Sequence, residues 1–449
     1  MDLLLVLLAL SLIFLNRKME WVLVIIMALC TDLFLLGSLV ENVCIFPQLT
    51  DGALCLVMLL FLLPKRSKIE PTEDYKLLNK IVKIFFCYLS FLIIIDIVFN
   101  GVSLLSIVKT SRHWLFLFFL YVVARYPKKI LSKALTITLW IVVIISAMIL
   151  LESVLDIDIL FKREVDSLGV LRGKLPPYYG IFFSILVYAN YWGYNKIKQY
   201  LLLAVLVLPQ LLSATRSVAL AIILGILLFI YFLSKNKLKA YCKILCAFTF
   251  LGVLLFSIPG LRQRMLGFQE EFKKTNSKEI TVEGNTTFRI ALLSERYEYL
   301  KKHPQYLLFG LGNVHERDFP EIFEIGLYDE ERGRTIQLDT GDIAWVGILL
   351  RLGVIGGILF VLGFIMIIRQ LLKNKDAMSV ALAAYLFSVL LIISFSGSYC
   401  GRGDFWILIF ICIIILNKES IKIPIIVTQR SLIKQPNVEV SDLPNNVLS

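Results

Sequence analysis

The sequence predicts an all-α fold: a polytopic transmembrane helix bundle of about 12–13 spans with one large external loop containing short helices. Three observations carry this. Hydrophobic residues make up 58% of the 449 positions, with a mean hydropathy of +0.80, above the roughly 45–50% apolar content of soluble domains. Apolar runs close to the roughly 20 residues that cross a bilayer recur between short charged loops. Runs such as Ile141 to Leu151 and Ile222 to Leu233 are apolar on every side, where the strands of a lipid-facing barrel would alternate.

In chain order the runs fall near 2–15, 21–40, 52–63, 80–99, 104–124, 131–151, 178–193, 200–214, 217–233, 241–258, 342–368, 377–396 and 404–416. The first lacks a basic n-region and an A-x-A cleavage pattern, so it reads as a short span and not as a removable signal. Alternate loops hold the basic residues, among them Arg17, Lys65, Arg66, Arg125, Lys128, Lys129, Lys196, Lys198, Lys235, Lys239, Arg369 and Lys373. The positive-inside rule makes these loops cytoplasmic. The other set, 41–51, 100–103, 152–177, the turn near 215, 259–341 and 397–403, is then external.

The predicted organisation is an N-terminal set of transmembrane helices over 1–258 and a large periplasmic or extracellular loop over 259–341. Three more spans follow over 342–416, and 417–449 is a cytoplasmic polar tail. Within the loop, Arg289 to Lys302 puts Ile290, Leu293, Tyr297 and Leu300 on one helical face, which predicts an amphipathic helix lying against the bundle mouth. The net charge of +12 resides mostly in short loops, so it signals topology and no nucleic acid is expected as a partner. The eight cysteines form no C-x-x-C pair and no metal-ligand spacing. They read as small packing residues, implying neither a disulfide framework nor zinc.

Charged residues in or beside spans are the informative exceptions, because each costs about 2.5–3.5 kcal/mol at a helix centre on insertion scales. Arg216, in SATRSVAL between two apolar runs, is either an anion-binding arginine facing a cavity or a turn residue snorkelling to headgroups. Arg172, in VLRGKLPPYYG, lies on an irregular external approach to a span. Arg289 opens the loop helix, which leads to His303-Pro304 and then to a G-x-G turn at Gly310 and Gly312. Asp339 and Asp342 stand at the start of the next span, where a carboxylate serves either as a helix cap or as a general base in a partly dry cleft.

Other motifs have blander readings. Asp156 and Asp158 have D-x-D spacing but read as a solvated loop, and Arg402-Gly403-Asp404 as coincidence at a span rim. Asn285-Thr286-Thr287 is a sequon, relevant only in a secretory pathway. Asp32, Lys83, Asp96, Lys109 and Arg112 could form a proton or ion path, with helix pairing or snorkelling the preferred account of the first three.

Together these segments resemble the bacterial O-antigen ligase and polymerase superfamily of membrane glycosyltransferases, the Wzy and WaaL type. The resemblance rests on four features in order: Arg172-Gly173 before a proline-containing span start; the turn Thr215-Arg216-Ser217; the loop pattern Arg289, His303-Pro304, Gly310 and Gly312; and Gly353 with Gly356 in the span after the loop. It covers roughly residues 165–365. Many ligases of this family carry a histidine eleven residues before the glycine equivalent to Gly353; here that position is Asp342, with Trp345 three residues on. An acid there leans the reading toward a polymerase.

What the resemblance implies is glycosyl transfer at the outer face of a bacterial cytoplasmic membrane, from a polyprenyl-diphosphate-linked oligosaccharide and without a metal or other cofactor. Arg172, Arg216 and Arg289 would bind the diphosphate and steady its growing charge. Asp342, or else His303 or Asp339, would orient the acceptor hydroxyl or take its proton. Membrane lipids, a flippase and a chain-length regulator are the implied partners. The alternatives are a ligase that moves a finished glycan onto lipid, protein or wall, and a transporter or flippase. A transporter would show inverted repeats and helices interrupted at mid-membrane.

Overall fold

The computed structural model describes residues 2–15, 18–31, 49–63, 73–155, 164–165, 171–172, 178–212, 216–233, 286–314, 323, 327–329, 334–336, 343–392 and 403–416, with scattered positions between 236 and 249. Every structural statement below refers to these. The chain is a helical bundle, as the hydropathy predicts. Its first half supplies α1 (Asp2–Phe14), α2 (Met19–Cys30), α3 (Leu49–Leu62) and α4 (Glu73–Val98). A continuous helical stretch follows, made of α5 (Leu104–Ser111), a 3-10 segment (Arg112–Phe118) and α6 (Phe119–Val123), then α7 (Lys128–Leu155). Next come α8 (Tyr179–Tyr188), α9 (Lys196–Leu212) and α10 (Arg216–Leu233). Of the predicted run at 241–258 only scattered helical positions up to 249 are described.

Beyond it the structure has α11 (Thr286–Lys302), α12 (Pro304–Phe309), α13 (Ala344–Asn374), α14 (Ala377–Leu391) and α15 (Gly403–Leu416). Two small antiparallel hairpins were not foreseen. One pairs β1 (Glu164–Val165) with β2 (Leu171–Arg172), the other β3 (Leu327–Asp329) with β4 (Arg334–Ile336). Both belong to segments the charge pattern assigns to external loops, so the bundle itself stays all-α.

The helices are built as apolar stretches bounded by local stop and start signals. Asp376 caps α14 by accepting from the backbone N–H groups of Met378 and Ser379, and Ser103 caps α5 by accepting from Ser106. Pro304 occupies the first turn of α12, where a missing N–H is no loss. At the far end of α3, Arg125 donates to the carbonyls of Leu60, Phe61 and Leu63, the kind of helix-end acceptors that need a partner from outside the helix.

α15 is apolar all round and forms the bundle's axis: its side chains from Phe405 to Ile415 are buried. It packs on α2, α4, α6, α7, α14 and the 3-10 segment. α10 lies against α8, α9 and α14, and α7 against α2 and α9. Leu292, Leu300, Leu311, Phe323, Ile343, Val346 and Leu350 form a second apolar core, separate from this one. It belongs to a cap made of α11, α12, the turn after α12 and the beginning of α13. The partly buried Trp345 packs against both cores.

Two expectations are corrected. The run 342–368 is not one straight span, because Gly353 has φ 64° and ψ −174° and breaks α13. The rings of Trp345 and Phe360 meet with centroids 6.3 Å apart, although an unbroken helix at 1.5 Å per residue would separate these positions by roughly 22 Å. Ile348 and Leu349 likewise come against Gly357. The chain therefore folds back at Gly353, and only the arm from there to Asn374 is left to cross roughly 30 Å of hydrocarbon.

The second correction concerns α11. Ile290 and Tyr297 are exposed, whereas Leu292, Arg296 and Leu300 are buried, and Leu293 is half-buried. The buried stripe is thus shifted round the helix from the one predicted. The cause is Arg296, whose guanidinium carbon lies 4.3 Å from the centroid of the Phe323 ring and whose charge pairs with Glu295. A charge on that stripe reads as solvent-facing until its partner from a later loop is known.

Candidate active site

The residues singled out in the sequence lie on three parts of the chain. On the bundle, Arg216 is the first residue of α10; Arg172 ends β2, in the small hairpin that precedes α8 in sequence. The start of α8 meets the end of α9, since a Cβ at Gly180 would stand 2.6 Å from the Gln210 amide. Arg216 follows the last residue of α9 by four positions, so its backbone stays near that end of the bundle, while Arg172 precedes Tyr179 by seven positions, which reach at most roughly 25 Å. On the cap, Arg289 is in the first turn of α11, and His303 joins α11 to α12. Asp339 and Asp342 lie outside the described residues; Asp342 precedes the buried Ile343 in sequence.

His303 has a defined setting. Its Nδ1 is 2.9 Å from the carbonyl oxygen of Tyr299. A carbonyl only accepts, so Nδ1 carries the proton and Nε2 is the nitrogen for any further proton transfer. The ring lies against Tyr299, at 4.4 Å between centroids, with Tyr306 beyond it. Burial, with a smaller contribution from Tyr306, holds the Tyr299 hydroxyl above the ordinary phenol range. It remains neutral at physiological pH.

The G-x-G turn is the joint between cap and bundle. Gly310 (φ 81°) and Gly353 (φ 64°) lie back to back. A Cβ on Gly353 would stand 2.3 Å from the Leu308 carbonyl oxygen, and one on Gly310 would stand 2.6 Å from the Arg351 carbonyl. Both positions therefore demand glycine twice over, for backbone angle and for space. The carbonyls freed by the break are reused: Leu350 accepts from the Leu311 N–H at 2.6 Å, and Leu352 accepts from the Tyr88 hydroxyl on α4. The helix interruption is thus answered by protein groups of the joint.

Two residues on, the turn closes on a carboxylate. Asn313 donates its backbone N–H at 2.8 Å and its side-chain amide at 3.0 Å to Oδ2 of Asp96, near the end of α4. Asn100 donates to Oδ1 of the same group at 3.3 Å. Thr110 of α5 donates to the Asn313 carbonyl at 2.7 Å. Gly312 passes so close that a Cβ there would lie 1.8 Å from Asp96 Oδ1. Asp96 and Asn313 are both buried. Helix pairing, the sequence-based account of Asp96, becomes a helix-to-turn clasp.

Sequence reasoning missed Asn313, Thr110, Tyr88 and Arg296. Asn313 carried one usable signal, a polar amide directly after G-x-G. Thr110 and Tyr88 carried none, because hydroxyls inside apolar runs are common and bond mostly to their own helix.

Comparison with known proteins bears on this joint. No curated protein matches the chain. Residues 199–361 match the family model described as O-antigen ligase. That stretch holds Arg216, Arg289, His303, Gly310, Gly312 and Gly353, so the similarity to the O-antigen ligase family falls on the part of the chain that carries these motifs.

Proposed function

We propose that this membrane protein is a polysaccharide polymerase, of the O-antigen or capsule kind, that joins polyprenyl-diphosphate-linked oligosaccharide repeat units at the outer face of the cytoplasmic membrane. A hydroxyl oxygen of the acceptor glycan attacks the anomeric carbon of the donor, the bond from that carbon to the diphosphate oxygen breaks, and configuration inverts. The polyprenyl diphosphate leaves with the bonding electrons. Asp342 takes the hydroxyl proton and later releases it to water, and His303 Nε2 is the second candidate for that proton. Arg216, Arg289 and Arg172 neutralise the diphosphate as its charge grows, with no metal required.

The observation that supports this reading is the folded-back arm of α13 seated on the Gly310 turn. It joins a cap carrying Arg289 and His303 to a bundle in which Arg216 opens a helix, within the stretch matched by the O-antigen ligase family. A substrate with a lipid tail, a diphosphate and a hydrophilic glycan needs such a boundary between apolar bundle and wetter cap. Asp342 at the position where ligases of the family carry histidine favours polymerase over ligase. A flippase or transporter is the less favoured reading, because the interruption in α13 faces a glycine turn and a tyrosine of the same protein.

The test is purified protein in lipid vesicles, supplied only with lipid-linked repeat units. A polymerase yields a ladder of longer glycans, a ligase needs a second acceptor, and a transporter leaves chain length unchanged. Arg216→Ala and Asp342→Asn should each cut elongation by about 100-fold or more while the protein still inserts. Near-normal ladders from both variants would refute the assignment.

A further inference from the structure

We infer that Asp96, which lies outside the stretch matched by the family model, is a positioning residue for the glycosyl transfer site, clasping the Gly310–Asn313 turn so that the cap is held at a fixed place over the bundle. The inference rests on the reading under Proposed function, because the reacting groups assigned there are divided between two bodies. Arg289 and His303 ride on the cap; Arg216 opens α10 of the bundle.

A relative shift of about 1 Å between groups acting on one bond can lower the rate by about 100-fold. Something must therefore fix one body on the other, and apolar packing alone does so weakly, since it has little directional preference. The described contacts between the bodies include Phe91 against Phe309, Trp345 against Phe360, the Tyr88 hydroxyl on Leu352, and the Asp96–Asn313–Thr110 seam. Two of these contacts are hydrogen-bonded and so fix both direction and distance; the Tyr88 contact has one such bond and the seam three.

In it one carboxylate oxygen accepts two N–H donors of a single residue, and the carbonyl of that residue accepts from a second helix. Asn313 is therefore held in both orientation and position. Gly312, whose missing side chain lets the backbone touch the carboxylate, removes the slack that would let the turn slide. Asp96 is buried at one end of α4, and burial without donors would make its charge costly. The same contact thus satisfies the acid and orients the turn.

The experiment uses the full-length protein in vesicles and two readouts, amide hydrogen exchange of the 308–314 peptide and elongation kinetics. Asn313→Asp turns the donor into a second carboxylate facing Asp96. Exchange in the peptide should rise by about 10-fold, with peptides of α15 unchanged. The kcat should fall by about 10- to 100-fold with KM close to wild type. Asp96→Asn combined with Asn313→Asp restores a donor–acceptor pair in reverse and should recover most of both losses.

An Asn313→Asp protein with wild-type exchange overturns the clasp, as does a double variant no better than Asn313→Asp alone. Faster exchange with unchanged kcat overturns the positioning role and leaves the polymerase reading intact. If the wild-type protein makes no polymer, the polymerase reading falls and the role of Asp96 in it falls too, while the exchange results still decide the contact.

Discussion

The bundle and the cap are two apolar cores in one chain, held by different physics. The bundle surrounds α15, whose side chains from Phe405 to Ile415 are buried, and draws on its contacts with α2, α4, α6, α7, α14 and the 3-10 segment. Burial of this kind depends on area and volume, tolerates exchange of one apolar residue for another of similar size, and is redundant. The cap core has seven buried side chains. It keeps its place through glycine-to-backbone contact at Gly310 and Gly353 and through the amide bonds of Asn313 to Asp96. Each of those contacts depends on a few atoms, so in the cap one added methyl group is enough to matter.

That contrast gives its largest expected effect at Gly353. Alanine there adds a Cβ at 2.3 Å from the Leu308 carbonyl oxygen, in a backbone region that L residues occupy at a cost. Backbone strain of about 1–3 kcal/mol and the clash together should undock the turn. Gly353→Ala is expected to give loss of elongation and rapid exchange over 304–313, while the bundle still inserts and its thermal midpoint stays near wild type. Gly225→Ala, on α10 against Ile185 and Ser388 side chains, is the control. It should lower the thermal midpoint and leave exchange over 304–313 unchanged. If Gly353→Ala instead unfolded the whole bundle, the two cores would be one cooperative unit and the distinction would fail.

A smaller effect should come from the interior of the cap. Arg296 is buried with its guanidinium over Phe323, whose ring also meets Tyr299 edge-on at 5.1 Å. In a double-mutant cycle of Arg296→Met and Phe323→Leu, the coupling expected for a desolvated cation–ring pair is about 0.5–2 kcal/mol. Exchange of the 292–300 peptide reports it as a change in opening free energy. Zero coupling would mean that Arg296 is held by its other partners and that its position over the ring is incidental.

These two regions were also unequally legible in the sequence. The bundle was readable because an apolar run of spanning length has few alternatives: α7, expected at 131–151, is observed from Lys128 to Leu155. The break at Gly353 was not, since both flanks in LLRLGVIGG are apolar and glycine is common in transmembrane helices. Its positive φ is set by Gly310 on another segment, which hydropathy does not register. For the site, the G-x-G turn could be recognised as a place of close backbone approach. Its partner Asp96 lies 217 positions from Asn313, and nothing local announces that pairing. The stripe on α11 was misread for the same reason, because Arg296 is buried against Phe323, a residue of a later segment.

The smallest effect returns to the bundle, at the ion pair between Glu20 and Lys133, 2.6 Å apart. The two partners are not equivalent: the lysine side chain is 60% exposed and the glutamate 10%. Glu20→Gln leaves the lysine on the exposed surface of α7, one turn from its start, so the loss should be that of an exposed pair, about 0–1 kcal/mol. Lys133→Met leaves a nearly buried carboxylate without its cation, which should cost more, about 1–3 kcal/mol. The position of Glu20 in the first turn of α2, where backbone N–H groups favour an anion, offsets part of that loss. Thermal midpoints of the two variants should therefore rank Lys133→Met below Glu20→Gln, with elongation and cap exchange unchanged in both. The reverse ranking would show that the pair acts through the lysine, and any change in exchange over 304–313 would show that strain crosses from the bundle into the cap.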